Sequence, residues 1–199
     1  MKRDDTCIIG VTGHRDITPW AIAPIKEKIR QAFQDILELR GGKKIYVMSS
    51  LADGADRLVY EHIKELRPDT GLIYAAPMPP AEYAKDFTPE SLSHFETLRQ
   101  SASKTIDLAG PEDFDISGRD ACYHAASGYV CQNSDFLIAL WDYNKSKVDS
   151  GTLIALNFWF RHKRNSKHAK AYIISCPRVI NTEMGYENPS SIYMRNDID

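Results

Sequence analysis

Residues 44–59 read KIYVMSSLADGADRLV. The first half, KIYVMSS (44–50), is a near-continuous apolar run, the form taken by a strand covered on both faces. The second half enters a helix, because Leu58, Val59, His62, Ile63 and Leu66 recur at helical spacing across 54–66. Between them lies a connection with two serines, a glycine and two aspartates, where a plain turn would suffice. A strand that reaches a helix through a short loop is the repeating unit of an α/β fold.

The same alternation extends in both directions. Further strands are expected at TCIIGVT (6–12), GLIYAA (71–76), TIDLAG (105–110), DFLIALW (135–141) and AYIIS (171–175). The first helix spans 20–40 on the stripe Ile22, Ile25, Ile29, Phe33 and Ile36, with Pro24 calling for a late start or a kinked first turn. Thr88-Pro89 reads as an N-cap followed by a proline at the first helical position, and Leu92, Phe95 and Leu98 continue that helix. Two more helices are expected at 119–133, with Cys122, Ala125, Ala126, Tyr129 and Val130, and at 151–162, which is apolar on most sides. Alternating strands and helices predict a Rossmann-like, doubly wound and mainly parallel sheet flanked by helices, three layers in all. We expect one domain over residues 1–178 and a C-terminal tail over 179–199, where periodicity is lost.

Composition bounds the function. The 199 residues suffice for one sizeable core. A net charge of −2 argues against a main job on duplex DNA, whose usual footprint is a strongly basic face, so nucleic acid is not expected as a partner; single-stranded DNA binding, which needs a basic groove with stacking aromatics, is the least favoured reading. Cys7, Cys122, Cys131 and Cys176 form no CxxC pair and read as buried free thiols in a reducing compartment. MKRDDTCIIGV at the start has no long apolar stretch, so no signal peptide is expected, and no run reaches the ~20 residues that span a bilayer. The expected location is cytoplasmic, without a membrane partner.

In an open parallel sheet, ligands bind beyond the carboxyl ends of the strands, where strand order reverses. Three loops fall at such ends. The first, Gly10-Val11-Thr12-Gly13-His14-Arg15-Asp16, has GxxG spacing and is neither GxGxxG nor a Walker loop. Its glycines permit a tight turn, Arg15 can clamp a phosphate, and His14 can exchange a proton near neutral pH. The second holds Ser49, Ser50, Asp53, Gly54 and Asp56. Asp53 as N-cap with Asp56 as its capping-box partner explains the loop structurally. A ligand explains it equally well: Gly54 admits close approach to the backbone, free N–H groups at the helix start favour an anion, and the aspartates suit ribose hydroxyls or a cation. The third, ending Asp149-Ser150-Gly151-Thr152, offers Ser150 as an N-cap and Gly151 and Thr152 as a second anion-binding helix start. Trp141 beside it could stack on a base or fill the core.

Other chemistries find no support. None of the six histidines, His14, His62, His94, His124, His162 and His168, has metal-ligand spacing, and no GxSxG elbow exists. His62 falls on an apolar stripe and reads as a packing residue. The basic run RHKRNSKHAK (161–170) reads as a solvated helix C-terminus. No metal or cofactor is expected.

VTGHRDI, SSLADGADRLV, PMPPAEYAKDF and DFLIALWD with a downstream SGT, in that order, resemble the SLOG superfamily over roughly residues 6 to 175. That superfamily joins Rossmann-like domains of the DNA-processing protein of natural transformation with the Lonely-guy phosphoribohydrolases. The chain looks most like a bacterial branch with a GHRD start and an SLADGAD loop, found in or beside predicted nucleotide-dependent conflict and antiviral systems. The resemblance implies a nucleotide or nucleotide-derived ligand over the strand tips, held by Gly13, His14, Arg15, Ser50, Asp53, Gly54, Asp56, Gly151 and Thr152. Tyr83 and Asp86 would line the pocket edge or simply pack a helix. Phosphoribohydrolases of the superfamily carry PGGxGTxxE, whereas this chain has DSGT followed by Leu153, Ile154 and Ala155, without the glutamate. Binding or sensing is therefore the first expectation. An N-glycosidase acting on nucleoside monophosphates, with Asp53 or Asp56 facing the oxocarbenium-like centre, is the alternative. The apolar 153–160 helix is expected either to pack within the subunit or to join a homo-oligomer.

Overall fold

The computed structural model describes residues 5–40, 42–108, 116–143, 151–163, 166, 168–178 and 192–194. Six strands, β1 (Thr6–Gly13), β2 (Lys44–Ser49), β3 (Gly71–Ala76), β4 (Lys104–Asp107), β5 (Phe136–Trp141) and β6 (Lys170–Ser175), lie parallel in the order β4-β3-β2-β1-β5-β6. A short strand, β7 (Ile192–Met194), pairs antiparallel with β6 at the edge. It falls inside the segment expected as a tail. The rest of that segment, and Asp149 and Ser150 of the third loop, lie outside the described residues.

The strands alternate between two cores. Ile9, Val11, Ile45, Val47, Leu72, Tyr74, Phe136, Ile138 and Leu140 point to one face. There they meet α1 (Ile22–Arg40), α2 (Ala55–Leu66) and α4 (Pro89–Gln100), the last preceded by a single turn, α3 (Pro80–Tyr83). Tyr46, Met48, Ile73, Ala75, Leu137, Ala139, Trp141 and Ile173 point to the other face. That face is covered by α5 (Ile116–Asn133) and α6 (Gly151–Lys163). Strands buried on both sides need apolar residues at every position, which is why their sequences read as runs rather than alternations. Trp141 is 3% exposed and belongs to the core.

Local choices agree with this arrangement. Pro24 falls in the first turn of α1, where backbone N–H groups have no intrahelical acceptor, and a 3-10 turn at Pro19–Ala21 leads into it. The Thr88 hydroxyl accepts the Ser91 N–H at 3.3 Å and caps α4. Gly10 serves packing rather than a turn: it lies within β1, and a Cβ there would sit 2.5 Å from Ser134 Oγ. Along α6, Thr152, Ala155, Leu156 and Trp159 are buried, and Phe158 lies over Gly128 of α5. All four cysteines are free and buried. No helix among the described residues is long and apolar enough to cross a membrane.

Strand order decides where a ligand can enter. Successive strands run outward from β1 through β2, β3 and β4, and from β5 through β6 on the opposite side. The reversal lies between β1 and β5, and their carboxyl ends open a crevice there.

Candidate functional site

The first two loops lock together before either meets the crevice. Beyond Gly13, the His14 N–H donates to the Leu140 carbonyl at 3.2 Å, while the His14 carbonyl accepts from the Ala55 N–H at 3.0 Å. A Cβ on Gly13 would lie 2.4 Å from Ala55 Cβ. Gly54 precedes α2 at φ 74°, and a Cβ there would sit 2.4 Å from the Arg15 carbonyl oxygen and 2.5 Å from that of His14. The first loop thus closely approaches Gly54. The first N–H of α2 already has an acceptor in His14.

The aspartates of the second loop do not form the capping box that their spacing suggests. Gly54 occupies the N-cap position and no side chain caps the helix. The Asp53 carboxylate pairs with Arg57 at 2.9 Å and accepts from the Ser91 hydroxyl. Arg57, buried, also donates to the carbonyls of Leu51 and Ser91, each at 2.9 Å, and its guanidinium lies 4.8 Å from the Phe87 ring centroid. Asp53 thus belongs to a strut between α2 and α4. Asp56 turns back into its own loop and accepts from the Ser49 hydroxyl at 2.9 Å and from the Ala52 N–H at 3.3 Å. Ser49, fully buried, also accepts the Leu51 N–H at 2.9 Å. Leu51 is held at φ 59°, a strained value for a leucine with a wholly buried side chain.

Above these loops lies a cavity of about 730 Å³, within the size range of small-molecule sites. Gly13, His14, Arg15, Ser50, Asp56, Gly151 and Thr152 all line it, so three segments distant in sequence meet there. Asp53 and Gly54 are not among its lining residues. The amino end of α6 opens onto it through exposed Gly151 and buried Thr152, and that end carries the positive pole of the helix dipole.

Two titratable groups in the wall are displaced from their ordinary behaviour. Burial pushes the Asp56 carboxyl up to about 6, against the opposing pull of the Ser49 and Ala52 hydrogen bonds and the Arg15 charge. Near neutral pH it exchanges a proton readily. His14, 6% exposed, has its basicity lowered by burial, which outweighs the nearby Asp142 carboxylate. The Asp142 N–H reaches His14 Nε2 at 3.1 Å, and an Asp142 carboxylate oxygen stands 3.0 Å from the same nitrogen. With the imidazole neutral, neither contact is a charged pair, and the tautomer sets which of the two is the hydrogen bond.

Arg15 is engaged on the opposite wall. It pairs with Asp86 at 3.2 Å, and its guanidinium stands 5.4 Å from the Tyr123 ring centroid. Its side chain remains 43% exposed. Asp86 accepts from Arg119 and from the Tyr123 hydroxyl as well. Tyr83 lines the cavity and packs edge-on to Phe87 and Phe95, while Asp86 stands behind the lining. One of these two residues is therefore wall and the other anchors a wall residue.

Sequence reasoning missed a side of α5. Asp120, Tyr123, His124 and Ser127 line the cavity at helical spacing, as does Arg178 beyond β6, which binds Asp16 at 2.7 Å. The signal was a polar stripe beside the apolar Cys122, Ala126 and Val130. Among the described residues, no group of three or more His, Cys, Asp or Glu side chains is placed to hold a metal ion.

No family model and no curated protein matches the chain. Three solved chains are similar to it. One is DNA processing protein A from Helicobacter pylori, described for its unique single-stranded DNA binding mode. It is 18% identical over 85% of this chain, which spans 66% of that one, with a TM-score of 0.49. The likeness is one of fold. One expectation stands corrected beside it: nucleic acid was not expected as a partner, and this neighbour is a protein with a single-stranded DNA binding mode.

Proposed function

We propose that the chain binds a nucleotide or nucleotide-derived small molecule in the cavity over β1 and β5. One observation carries this reading: Gly13, Arg15, Ser50 and Thr152, drawn from three strand ends, face one cavity at the strand-order reversal, with the amino end of α6 opening onto it. That helix end and Arg15 supply anion recognition, while Ser50, Ser127 and Asp120 supply hydrogen bonds for a ribose or base. The ordered GHRD, SLADGAD and SGT motifs support the same ligand class, and with it a sensing role of the kind that the SLOG resemblance implies. Calorimetry against nucleosides, mono-, di- and triphosphates, cyclic nucleotides and a single-stranded oligonucleotide tests it. At least one small nucleotide is expected to bind, and Arg15→Ala and Thr152→Val each to weaken that binding about tenfold. Absence of binding, or wild-type binding by both variants, refutes the site.

A second reading rests on Asp56. Asp56 lines the cavity, and burial pushes its carboxyl up to about 6, which suits chemistry at a sugar carbon. In N-glycosidic cleavage, water adds at C1′, the C1′–N bond breaks, and a water proton ends on the released base. Asp56 would stabilise the cationic sugar. Chromatography for free base after incubation with nucleoside monophosphates decides: release abolished by Asp56→Asn supports hydrolysis, and no release at high protein concentration leaves binding as the function.

A further inference from the structure

We propose that Asp86 is a specificity-determining residue: a resident counter-anion on Arg15 that the acidic group of a ligand must displace. This rests on the binding site proposed above and adds which residue sets its preference for charge.

The geometry gives Asp86 that role. Arg15 lines the cavity and is 43% exposed, whereas the Asp86 side chain is 11% exposed and stands behind the wall. Asp86 has three donors. Arg15 Nη2 and the Tyr123 hydroxyl share one carboxylate oxygen, and Arg119 Nη2 takes the other. If Arg15 leaves, Asp86 therefore keeps a cationic partner and a hydroxyl. Arg15 in turn keeps its place over the Tyr123 ring. The exchange breaks one 3.2 Å contact, the longest of the three, and leaves no buried charge unpaired.

The remaining cation among the described lining residues is also occupied. Arg178 binds Asp16 at 2.7 Å. Two acidic residues, Asp56 and Asp120, also line the cavity. An incoming anion thus meets guanidinium groups already neutralised, plus the partial charge of the α6 amino end. Each further phosphate adds repulsion without a free cation to meet it. With Asp86 in place, the site favours compounds of low charge. Replacing that carboxylate by an amide of the same shape uncovers Arg15.

Calorimetric titration of wild type and Asp86→Asn with adenosine, AMP and ATP tests this. Adenosine has no anion to exchange, so its affinity is expected to stay within about twofold. AMP affinity is expected to rise at least about fivefold in Asp86→Asn, and ATP affinity to rise more. A purely structural role would instead weaken all three together. Tyr123→Phe provides an opposite reading in case Asp86→Asn fails to fold. It removes a donor from Asp86 and keeps every charge, so Asp86 should hold Arg15 more firmly and AMP affinity fall against adenosine. Unchanged ratios among the three ligands in both variants overturn the exchange and leave the site standing. Failure of all three ligands to bind wild type and Asp86→Asn overturns both.

Discussion

Asp56→Asn is predicted to change how stability depends on pH. The Asp56 carboxyl is 7% exposed, and burial raises it from its ordinary 3.8 to about 6. Between those values the native state holds a proton that the unfolded chain has released. Stability from this group is fully present below about pH 4, falls as pH rises through 6, and stays lost above it. The displacement is 6 − 3.8, roughly 2 pH units, worth about 3 kcal/mol at 1.36 kcal/mol per unit. An asparagine carries no charge into the loop, and its amide oxygen can still accept from the Ser49 hydroxyl and the Ala52 N–H. Urea unfolding of both proteins from pH 4 to pH 8 isolates the difference, because all other titrating groups are shared. The variant is expected to gain about 3 kcal/mol on the wild type across that range, most of it between pH 4 and 6. Parallel stability curves would refute the placement of a desolvated carboxyl at this loop.

The positive φ and the loop contacts at Gly54 predict that Gly54→Ala costs about 2–5 kcal/mol, since left-handed strain and an oxygen 2.4 Å from the new Cβ add together. Urea midpoints check it, and a loss under 1 kcal/mol would contradict the interlock of the first two loops. Burial pushes Cys7, Cys131 and Cys176 up to about 12 and raises Cys122 as well. A thiol-reactive chromophore should therefore find no cysteine in the native protein near pH 7.5 and four after denaturation. Rapid native labelling would show that one of those walls is open.

The sheet was legible because its strands are apolar at every position, and both edges of each run coincide with polar or glycine residues. Interior strands such as 71–76 come out at the residues expected. The edge strand expected at 105–110 comes out as Lys104–Asp107, where packing on one side alone leaves no apolar boundary to read. The three loops were legible by topology, since a parallel sheet sends strand ends to one rim. What each loop residue does was not. DGAD matches a capping box in spacing, but the left-handed Gly54 turns Asp53 toward Arg57 and Asp56 toward Ser49. Contacts far apart in sequence, such as Arg57 to Ser91 across 34 residues, help to set that arrangement. The polar stripe of α5 was hidden for a related reason. That helix packs on the sheet through Cys122, Ala126 and Val130 and on α6 through Cys131, so its apolar residues surround rather than oppose Asp120, His124 and Ser127. Asp86, at the end of the 3-10 turn Ala84–Asp86, was expected only at the pocket edge, and nothing in the sequence shows that it holds Arg15.

Amide chemical-shift mapping with AMP, using the uniformly 15N-labelled chain, tests the central claim most directly. Saturable shifts are expected at Thr12–Arg15, Ser50, Asp120, Ser127, Gly151 and Thr152, with Tyr60 and Lys64, in a second groove lined by α1, α2 and α4, unmoved. Shifts centred on that second groove, or none at millimolar AMP, would contradict it.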